Sequence, residues 1–418
     1  MFLIMISAFL CEAAASNLHP IILVPGAGGN QLEARLNKHY KPSSIFCNRW
    51  YPTRKQPDRW FRLWFDPSVL ISPFTDCYAQ RMTTFYNKQQ DDFTNAPGVE
   101  TRVPRFGSVQ SLLYLDPSLK KASNYMSTLV DSLEAIGYIR DESLFGAPYD
   151  FRYGLAAAGH PSRIGTQFLD DLRGLVEKAS TENEGKKVII LSHSLGGLFV
   201  LNLLNRCPPS WKHNYVKHFI ALSTPWGGTV DQMRTFASGN TLGVPLVDPL
   251  RLREMQRSSE SNLWLLPSPL VFGDRELVTA PKGSYSARDI PRFLDDIGCD
   301  GSYPYRRRIL PLTEQLPAPE VPVTCVVGSG VETTERLDYK GGFDEPPKIV
   351  RGDGDGTVNM ESLLAVESLW RNNTKQTLTA HVLPAISHTD ILKHHKALEL
   401  ISQQVKYINS YAQTIACT

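Results

Sequence analysis

The stretch 188–204, VIILSHSLGGLFVLNLL, contains the strongest structural signal in this sequence. It begins with four apolar residues, a pattern typical of a buried strand, and from Gly196 onward its apolar residues have the spacing of a buried helix. Between them, Ser192-His193-Ser194-Leu195-Gly196 nearly matches G-x-S-x-G, the sharp strand-to-helix turn that exposes a serine hydroxyl. Ser192 stands where that pattern has its first glycine. The flanking strand and helix strengthen a pentapeptide that alone is a weak signal.

Further apolar runs predict more strands on both sides of this unit. They lie at residues 21–24, 218–222 and 321–327, and the first ends in a glycine-rich turn at 25–29. Apolar strands that alternate with helices are typical of a mostly parallel sheet, so the predicted fold class is α/β.

A nucleophilic serine needs a base, and the base needs a carboxylate that orients it. In the hydrolases that use this turn, the acid and then the histidine follow the serine along the chain. Asp355, in the acidic loop 352–359, and His388, 33 positions later, occur in that order. A calcium-binding loop of the EF-hand type is excluded because Thr357 occupies a position that needs Asp or Asn. The alternative for His388 is an ordinary surface histidine.

The tetrahedral intermediate of acyl transfer also needs two N–H donors for its oxyanion. The backbone of Leu195, which follows the serine, is one candidate, and Ala27 in the glycine-rich turn is the other. A dinucleotide-binding turn is the competing interpretation of that segment, but Gln31 stands where G-x-G-x-x-G needs its last glycine.

Composition sets wide limits. The chain has 418 residues, 42% hydrophobic and 21% charged, with a formal net charge of +2. These values are typical of a globular protein, and without a basic excess they give no support for nucleic-acid binding as a main function. The short run Arg306-Arg307-Arg308 is interpreted as a solvated surface.

Residues 2–10 are apolar but too few for a membrane helix, which needs roughly 20. Small residues at 13–15 offer a cleavage site, so residues 1–15 are predicted to be a signal peptide. A buried first strand or a truncated gene model stays open, because no Lys or Arg precedes the apolar run. The chain would then enter the secretory pathway and be secreted or lie in an endomembrane lumen, peripheral to a membrane surface.

Seven cysteines are present and none forms a C-x-x-C pair, so no zinc ribbon or redox motif is indicated. Removing Cys11 with the signal peptide leaves six. Cys47 and Cys77 lie on either side of an aromatic-rich segment, and they are either bridged or two reduced, buried thiols. The pairing of the others stays open; they are Cys207, Cys299, Cys325 and Cys417.

Two segments depart from the α/β pattern and are interpreted as insertions into one catalytic domain. They are 42–77, rich in aromatic residues, and 229–317, an irregular mixture with few clean strands. The remaining core comprises 16–41, 78–228 and 318–418.

Taken together, these motifs resemble the lecithin:cholesterol acyltransferase family, and most closely its plant-type branch. The resemblance covers nearly the whole chain after the signal peptide. It is carried by PGAGGNQLE at 25–33, APYDFR at 147–152, SHSLG at 192–196, PWGG at 225–228, GDGDGTV at 352–358 and His388.

The resemblance implies an α/β-hydrolase core with Ser194 as nucleophile, Asp355 as orienting acid and His388 as general base. Ala27 and Leu195 would form the oxyanion hole, and no metal or organic cofactor would be required. The implied reaction moves a fatty acyl group from a glycerophospholipid to a sterol or another lipid alcohol. A phospholipase A, with water as acceptor, and a catalytically inactive lipid-binding module are the alternatives.

The family also implies a Cys47–Cys77 disulfide around a membrane-binding segment, with 229–317 as the cap that holds the acceptor. The aromatic residues at 46–65 would insert into a lipid surface, or else form a satellite core. Cys325 matches half of a second disulfide of the animal members, but its partner is missing here, so that bridge would be absent or re-paired. Asn372 begins a glycosylation sequon, Asn372-Asn373-Thr374.

Overall fold

The strands of the computed structural model follow the apolar runs of the sequence. The model describes residues 18–48, 59–69, 73–241, 243 and 247–410, so the predicted signal peptide, Cys417, Trp50 and Tyr51 lie outside the described residues. The strands are β1 (Ile21–Val24), β2 (Leu32–Leu36), β3 (Phe61–Trp64), β4 (Thr84–Asn87), β5 (Asp92–Asn95), β6 (Val99–Arg102), β7 (Leu144–Gly146), β8 (Val188–His193), β9 (Val216–Leu222), β10 (Val278–Ala280), β11 (Gly283–Tyr285), β12 (Val323–Ser329), β13 (Thr333–Asp338), β14 (Lys348–Gly352) and β15 (Leu378–Pro384).

The α-helices of the described residues range from single turns to a 20-residue helix. They are α1 (Thr75–Met82), α2 (Gln110–Leu113), α3 (Ser127–Glu134), α4 (Arg163–Glu182), α5 (Leu195–Arg206), α6 (Pro209–Tyr215), α7 (Asp231–Ser238), α8 (Pro249–Ser258), α9 (Glu260–Trp264), α10 (Pro269–Phe272), α11 (Ile290–Asp296), α12 (Ser302–Pro304), α13 (Leu310–Thr313), α14 (Met360–Leu363), α15 (Ala365–Leu369) and α16 (His395–Ser410). Short 3₁₀ turns occur at Ile45–Asn48, Pro67–Val69, Ala287–Asp289 and Asp390–Leu392, and a π-helical turn at Tyr305–Ile309. None of these helices is long and apolar enough to cross a membrane.

The central sheet has six strands in the order β15-β12-β9-β8-β1-β7, and every neighbouring pair is parallel. The predicted α/β class and parallel sheet are therefore confirmed. Successive residues of a strand point to opposite faces, and both faces are buried here. Ile22 and Ile190 pack into one apolar cluster, whereas Ile21 and Ile189 pack into another on the opposite face. This burial on both faces explains why the strands read as continuous apolar runs.

The two faces are covered by different parts of the chain. Helices α3 and α16 contribute their buried residues to the cluster around Ile21, and α4 and α5 contribute theirs to the cluster around Ile22. Segment 229–317 adds its own apolar side chains to the cluster around Ile22, so it shares one core with the sheet.

The small sheets show how the predicted insertions join the core. One has the order β11-β10-β13-β14, in which β10 from segment 229–317 pairs in parallel with β13. Segment 229–317 and the chain after residue 317 therefore share one sheet, because strands far apart along the chain can pair. A second small sheet, β3-β2-β6, joins the aromatic-rich segment to the chain after β1.

Candidate active site

Ser194 lies at the turn that the sequence predicts. Strand β8 extends two residues beyond the apolar run, to His193, and α5 begins at Leu195, so only Ser194 connects them. Its backbone has φ 53° and ψ −130°, an uncommon conformation for a residue with a side chain. The Ser194 N–H donates to the carbonyl oxygen of Leu222 on β9 at 2.9 Å, which helps to hold the turn.

Glycines make room for this turn against the loop after β1. A Cβ atom on Gly196 would lie 2.4 Å from the carbonyl oxygen of Pro25, and one on Gly26 would lie 2.7 Å from Cβ of Ser194. Both distances are too short for carbon, so neither site accepts a larger residue without movement. The glycine-rich loop and the serine therefore lie in direct contact.

Ser192, the departure from G-x-S-x-G, lies inside β8 and is fully buried. It pairs with Val24 on one side and with Ala221 on the other. Its hydroxyl has no hydrogen-bond partner among the described residues. Strand β8 therefore accommodates the hydroxymethyl group of Ser192 although its hydroxyl forms no hydrogen bond with the described residues.

His388 lies between the other two predicted residues. Its Nδ1 is 2.7 Å from Oδ2 of Asp355, and its Nε2 is 2.9 Å from Oγ of Ser194. The backbone N–H of His388 also donates to the carbonyl oxygen of Asp355 at 2.7 Å. The structure therefore brings together three side chains that the sequence places 33 and 161 positions apart.

Asp355 is fully buried, and its second carboxylate oxygen accepts the N–H groups of Thr357 at 3.0 Å and Val358 at 2.8 Å. Burial alone would raise the pKa of this carboxyl group. The attraction of His388 and the hydrogen bonds from its imidazole and the two backbone N–H groups outweigh burial, so the pKa lies below the usual value for aspartate. An ionised carboxylate only accepts hydrogen bonds, so Nδ1 of His388 carries the proton and Nε2 offers its lone pair to Ser194.

One predicted oxyanion donor directly follows this serine, and the other belongs to the loop that contacts it. Leu195 is buried at the first position of α5, where backbone N–H groups point out of the helix. Ala27 is exposed in the loop 25–29, whose Gly26 contacts Ser194. Their roles as donors stay predictions.

Sequence reasoning missed three side chains that hold the glycine-rich loop. Trp64 donates from Nε1 to the carbonyl oxygen of Gly28 at 2.7 Å, Tyr149 donates to that of Pro25 at 3.0 Å, and Tyr125 accepts the Gly26 N–H at 2.8 Å. Tyr149 lies in the motif at 147–152 and Trp64 in the aromatic-rich segment, whereas no local pattern singles out Tyr125.

The structure joins Cys47 and Cys77 in a disulfide, as the resemblance implied, with their Cα atoms 5.2 Å apart. Ile45 and Phe46, next to Cys47, are 79% and 48% exposed. Phe61 and Trp64 differ from the expectation of lipid insertion, because they are buried in an apolar cluster with β2. For these two, the satellite core is the correct interpretation.

Three cysteines of the described residues are unbridged and buried: Cys207, Cys299 and Cys325. Asn372 is exposed in a turn after α15. Within the described ranges, no group of three or more His, Cys, Asp or Glu side chains is arranged to hold a metal ion. The solvated-surface interpretation of 306–308 is wrong for Arg308, which is fully buried.

Comparison with known proteins identifies relatives along most of the chain. A curated relative from Arabidopsis thaliana, lecithin-cholesterol acyltransferase-like 1, is 58% identical over 96% of this chain and 92% of its own length. The lysosomal phospholipase A and acyltransferase of Canis lupus familiaris is 36% identical over 92% of this chain and 90% of its own. The phosphatidylcholine-sterol acyltransferase of Gallus gallus is 35% identical over 91% and 89%.

The family model described as lecithin:cholesterol acyltransferase matches residues 60–302 and 305–395. These matches include half of the predicted insertion 42–77, nearly all of 229–317, and Ser194, Asp355 and His388. The chain therefore belongs to the lecithin:cholesterol acyltransferase family.

Proposed function

We propose that this protein is a serine-dependent lipid O-acyltransferase. It moves a fatty acyl group from a glycerophospholipid to a sterol or another lipid alcohol through an acyl-enzyme on Ser194. The observation that carries the proposal is the hydrogen-bond chain from Asp355 through His388 to Ser194, in a member of this family.

In the first half-reaction, Oγ of Ser194 attacks an ester carbonyl carbon of the phospholipid while Nε2 of His388 takes the serine proton. The N–H groups of Ala27 and Leu195 stabilise the oxyanion. His388 then gives the proton to the leaving oxygen of the lysophospholipid, and the acyl group stays on Ser194.

In the second half-reaction, the hydroxyl of the acceptor attacks the acyl carbon and its proton passes to Nε2 of His388. Collapse of the second tetrahedral intermediate returns that proton to Ser194 and releases the acylated acceptor. Asp355 keeps the imidazole in the required tautomer and stabilises its charged form throughout.

A phospholipase A activity, with water as acceptor, is the second candidate. It uses the same three side chains, and the canine relative is named for both activities. We infer that segment 229–317 acts as a cap that selects the acceptor and that segment 42–77 contacts the lipid surface. The third candidate, an inactive lipid-binding module, is disfavoured because it would not need the complete hydrogen-bond chain.

The test uses purified protein on phosphatidylcholine vesicles that contain a labelled sterol, with free fatty acid and sterol ester counted together. Sterol ester above background supports the acyltransferase, and fatty acid alone supports the phospholipase. Ser194→Ala should lower both products by about three orders of magnitude or more while its thermal midpoint stays close to that of the wild type. Turnover retained in Ser194→Ala would exclude the mechanism.

We also infer that the protein works in the lumen of an endomembrane compartment or outside the cell. The Cys47–Cys77 disulfide supports this, because disulfides persist in oxidising compartments. The exposed sequon at Asn372 would carry an N-linked glycan there. A shift in mobility on glycosidase treatment, absent in Asn372→Gln, is the expected result.

A further inference from the structure

Two buried side chains, other than those of Ser194, Asp355 and His388, lie between the glycine-rich loop and His388. The hydroxyl of Tyr125 is 2.7 Å from Nδ1 of His193, and Nε2 of His193 is 2.9 Å from the backbone carbonyl oxygen of His388. The same hydroxyl lies 2.8 Å from the backbone nitrogen of Gly26. These three contacts form a hydrogen-bond chain from the predicted oxyanion loop, through Tyr125 and His193, to the backbone of His388.

The direction of every bond in this chain follows from its ends. A carbonyl oxygen only accepts, so Nε2 of His193 carries a hydrogen and donates it to His388. Burial lowers the pKa of His193 to about 3, so the imidazole is neutral and its Nδ1 has a free lone pair. Tyr125 therefore donates to Nδ1 and accepts from the Gly26 N–H.

Packing leaves these groups little freedom. Tyr125 is 8% exposed and His193 is 2% exposed. The ring of Tyr125 lies against Gly29, where a Cβ atom would be 2.5 Å from the ring, and the imidazole of His193 is 4.8 Å from that of His388 between ring centres. His193 directly precedes Ser194, so these hydrogen bonds pass through the residue next to the proposed nucleophile.

We propose that Tyr125 and His193 are positioning residues for this acyl transfer, holding the oxyanion loop and the backbone of His388 at a fixed separation across Ser194. The proposal rests on the function proposed above. Neither side chain touches the reacting atoms. They act because oxyanion stabilisation and proton transfer both depend on donors that are in position before the reaction.

The test compares Tyr125→Phe with Tyr138→Phe. Tyr138 lies in the same apolar cluster and is also buried, but its hydroxyl donates to the carbonyl oxygen of His19 and accepts from Asn409 instead of bonding to the glycine-rich loop or His193. Both variants lose one buried hydroxyl, so a merely structural role predicts similar losses of stability and no loss of kcat.

We expect Tyr125→Phe to lower kcat on the soluble ester p-nitrophenyl butyrate by about tenfold with KM unchanged, while Tyr138→Phe keeps the wild-type kcat. His193→Gln retains a donor near the carbonyl of His388 but loses the ring nitrogen that faces Tyr125, so it should show a similar loss. The double variant should be no worse than either single variant, since the two residues form one chain.

The rate at which a fluorophosphonate labels Ser194 is measured alongside, because this reaction needs no lipid. A tenfold slower labelling of Tyr125→Phe supports the positioning role even if the protein turns over no phospholipid. An absence of phospholipid turnover would count only against the proposed function. Equal kcat and labelling rates in Tyr125→Phe and Tyr138→Phe would overturn the inference. Losses that multiply in the double variant would also overturn it.

Discussion

Asp355 is a fully buried carboxylate that two backbone N–H groups and the imidazole of His388 keep ionised. Its two oxygens have different tasks. Oδ1 accepts from the Thr357 and Val358 backbone and fixes the loop, whereas Oδ2 accepts from His388. At the residue scale, the orientation of the general base is therefore coupled to the fold of the acidic loop.

Asp355→Asn should separate these two tasks. The amide oxygen can keep the two loop N–H groups as partners, which turns the NH₂ group towards Nδ1 of His388 and forces the hydrogen onto Nε2. We expect kcat to fall by about 10⁴-fold while stability changes by no more than about 1 kcal/mol. Turnover on p-nitrophenyl butyrate and thermal unfolding measure both quantities. Activity within tenfold of the wild type would contradict the role of Asp355.

His193 gives a prediction about acid stability. Its pKa is lowered to about 3 in the folded protein, chiefly by burial, from a value of roughly 6.5 in an unfolded chain. Between these values the unfolded chain binds a proton that the folded protein does not, so stability falls as the pH decreases from about 6.5 towards 3. From pH 7.5 to pH 5, this residue alone should cost about 2 kcal/mol.

In His193→Gln, this contribution disappears. The difference between the free energies of unfolding at pH 7.5 and pH 5, measured by urea denaturation, should therefore shrink by about 2 kcal/mol. An unchanged difference would mean that the folded protein accepts the proton on His193 at pH 5.

At the scale of elements, the disulfide attaches the 3₁₀ turn at Ile45–Asn48 to α1. This attachment presents Ile45 and Phe46 to solvent beside a buried Cys47. Most other apolar side chains of the neighbouring strands are turned inward, Phe61 and Trp64 among them. The turn is thus the part of the described aromatic-rich segment that best fits a lipid contact.

The double variant Ile45→Ser/Phe46→Ser should weaken binding to phosphatidylcholine vesicles and lower turnover on them by about tenfold or more. Each buried apolar side chain contributes about 1.5–3 kcal/mol to such contacts. Turnover of p-nitrophenyl butyrate should stay unchanged. Ile139→Ser is the matched control, because Ile139 is also exposed (52%) but precedes β7, at the amino end of the parallel strands, whereas Ser194 follows the carboxyl end of β8. Equal vesicle binding by the wild type, the double variant and Ile139→Ser would exclude the turn at Ile45–Asn48 as a lipid contact.

In the whole molecule, segment 229–317 contains a buried ion pair, and both members of the pair also bond to the backbone of the core. Arg308 and Glu260, both fully buried, are 2.5 Å apart between Nη2 and Oε1. Arg308 also donates to the backbone carbonyl of Asp91, and Glu260 accepts the Gly154 N–H at 3.1 Å. Burial raises the pKa of Glu260, so the carboxylate depends on its partner to stay ionised.

Arg308→Met should lower the free energy of unfolding by about 3–5 kcal/mol, because it leaves a buried acid without its cation. The neighbouring Arg306 is half exposed and pairs with Asp295, so Arg306→Met should cost no more than about 1 kcal/mol. Chemical denaturation compares the two variants. Adding Glu260→Gln to Arg308→Met should recover part of the loss, and similar small losses in both arginine variants would contradict the role of the buried pair.

Patterns in the sequence were enough to predict the parallel sheet, the turn at Ser194 and the order of the three site residues along the chain. These features are local, since an apolar run of four to six residues or a glycine beside a serine carries its signal within a few positions. The family followed from several such motifs in a fixed order.

Which groups from distant parts of the chain meet could be learned only from the three-dimensional fold. The hydrogen bonds of His388 to Asp355 and Ser194, the chain from Gly26 through Tyr125 and His193, and the pairing of β10 with β13 all join residues far apart in sequence. The burial of Arg308, Phe61 and Trp64 could not be predicted either, because the type of a residue does not show whether its side chain lies in a core or on the surface. Its environment comes from segments that fold against it, and local patterns do not record them.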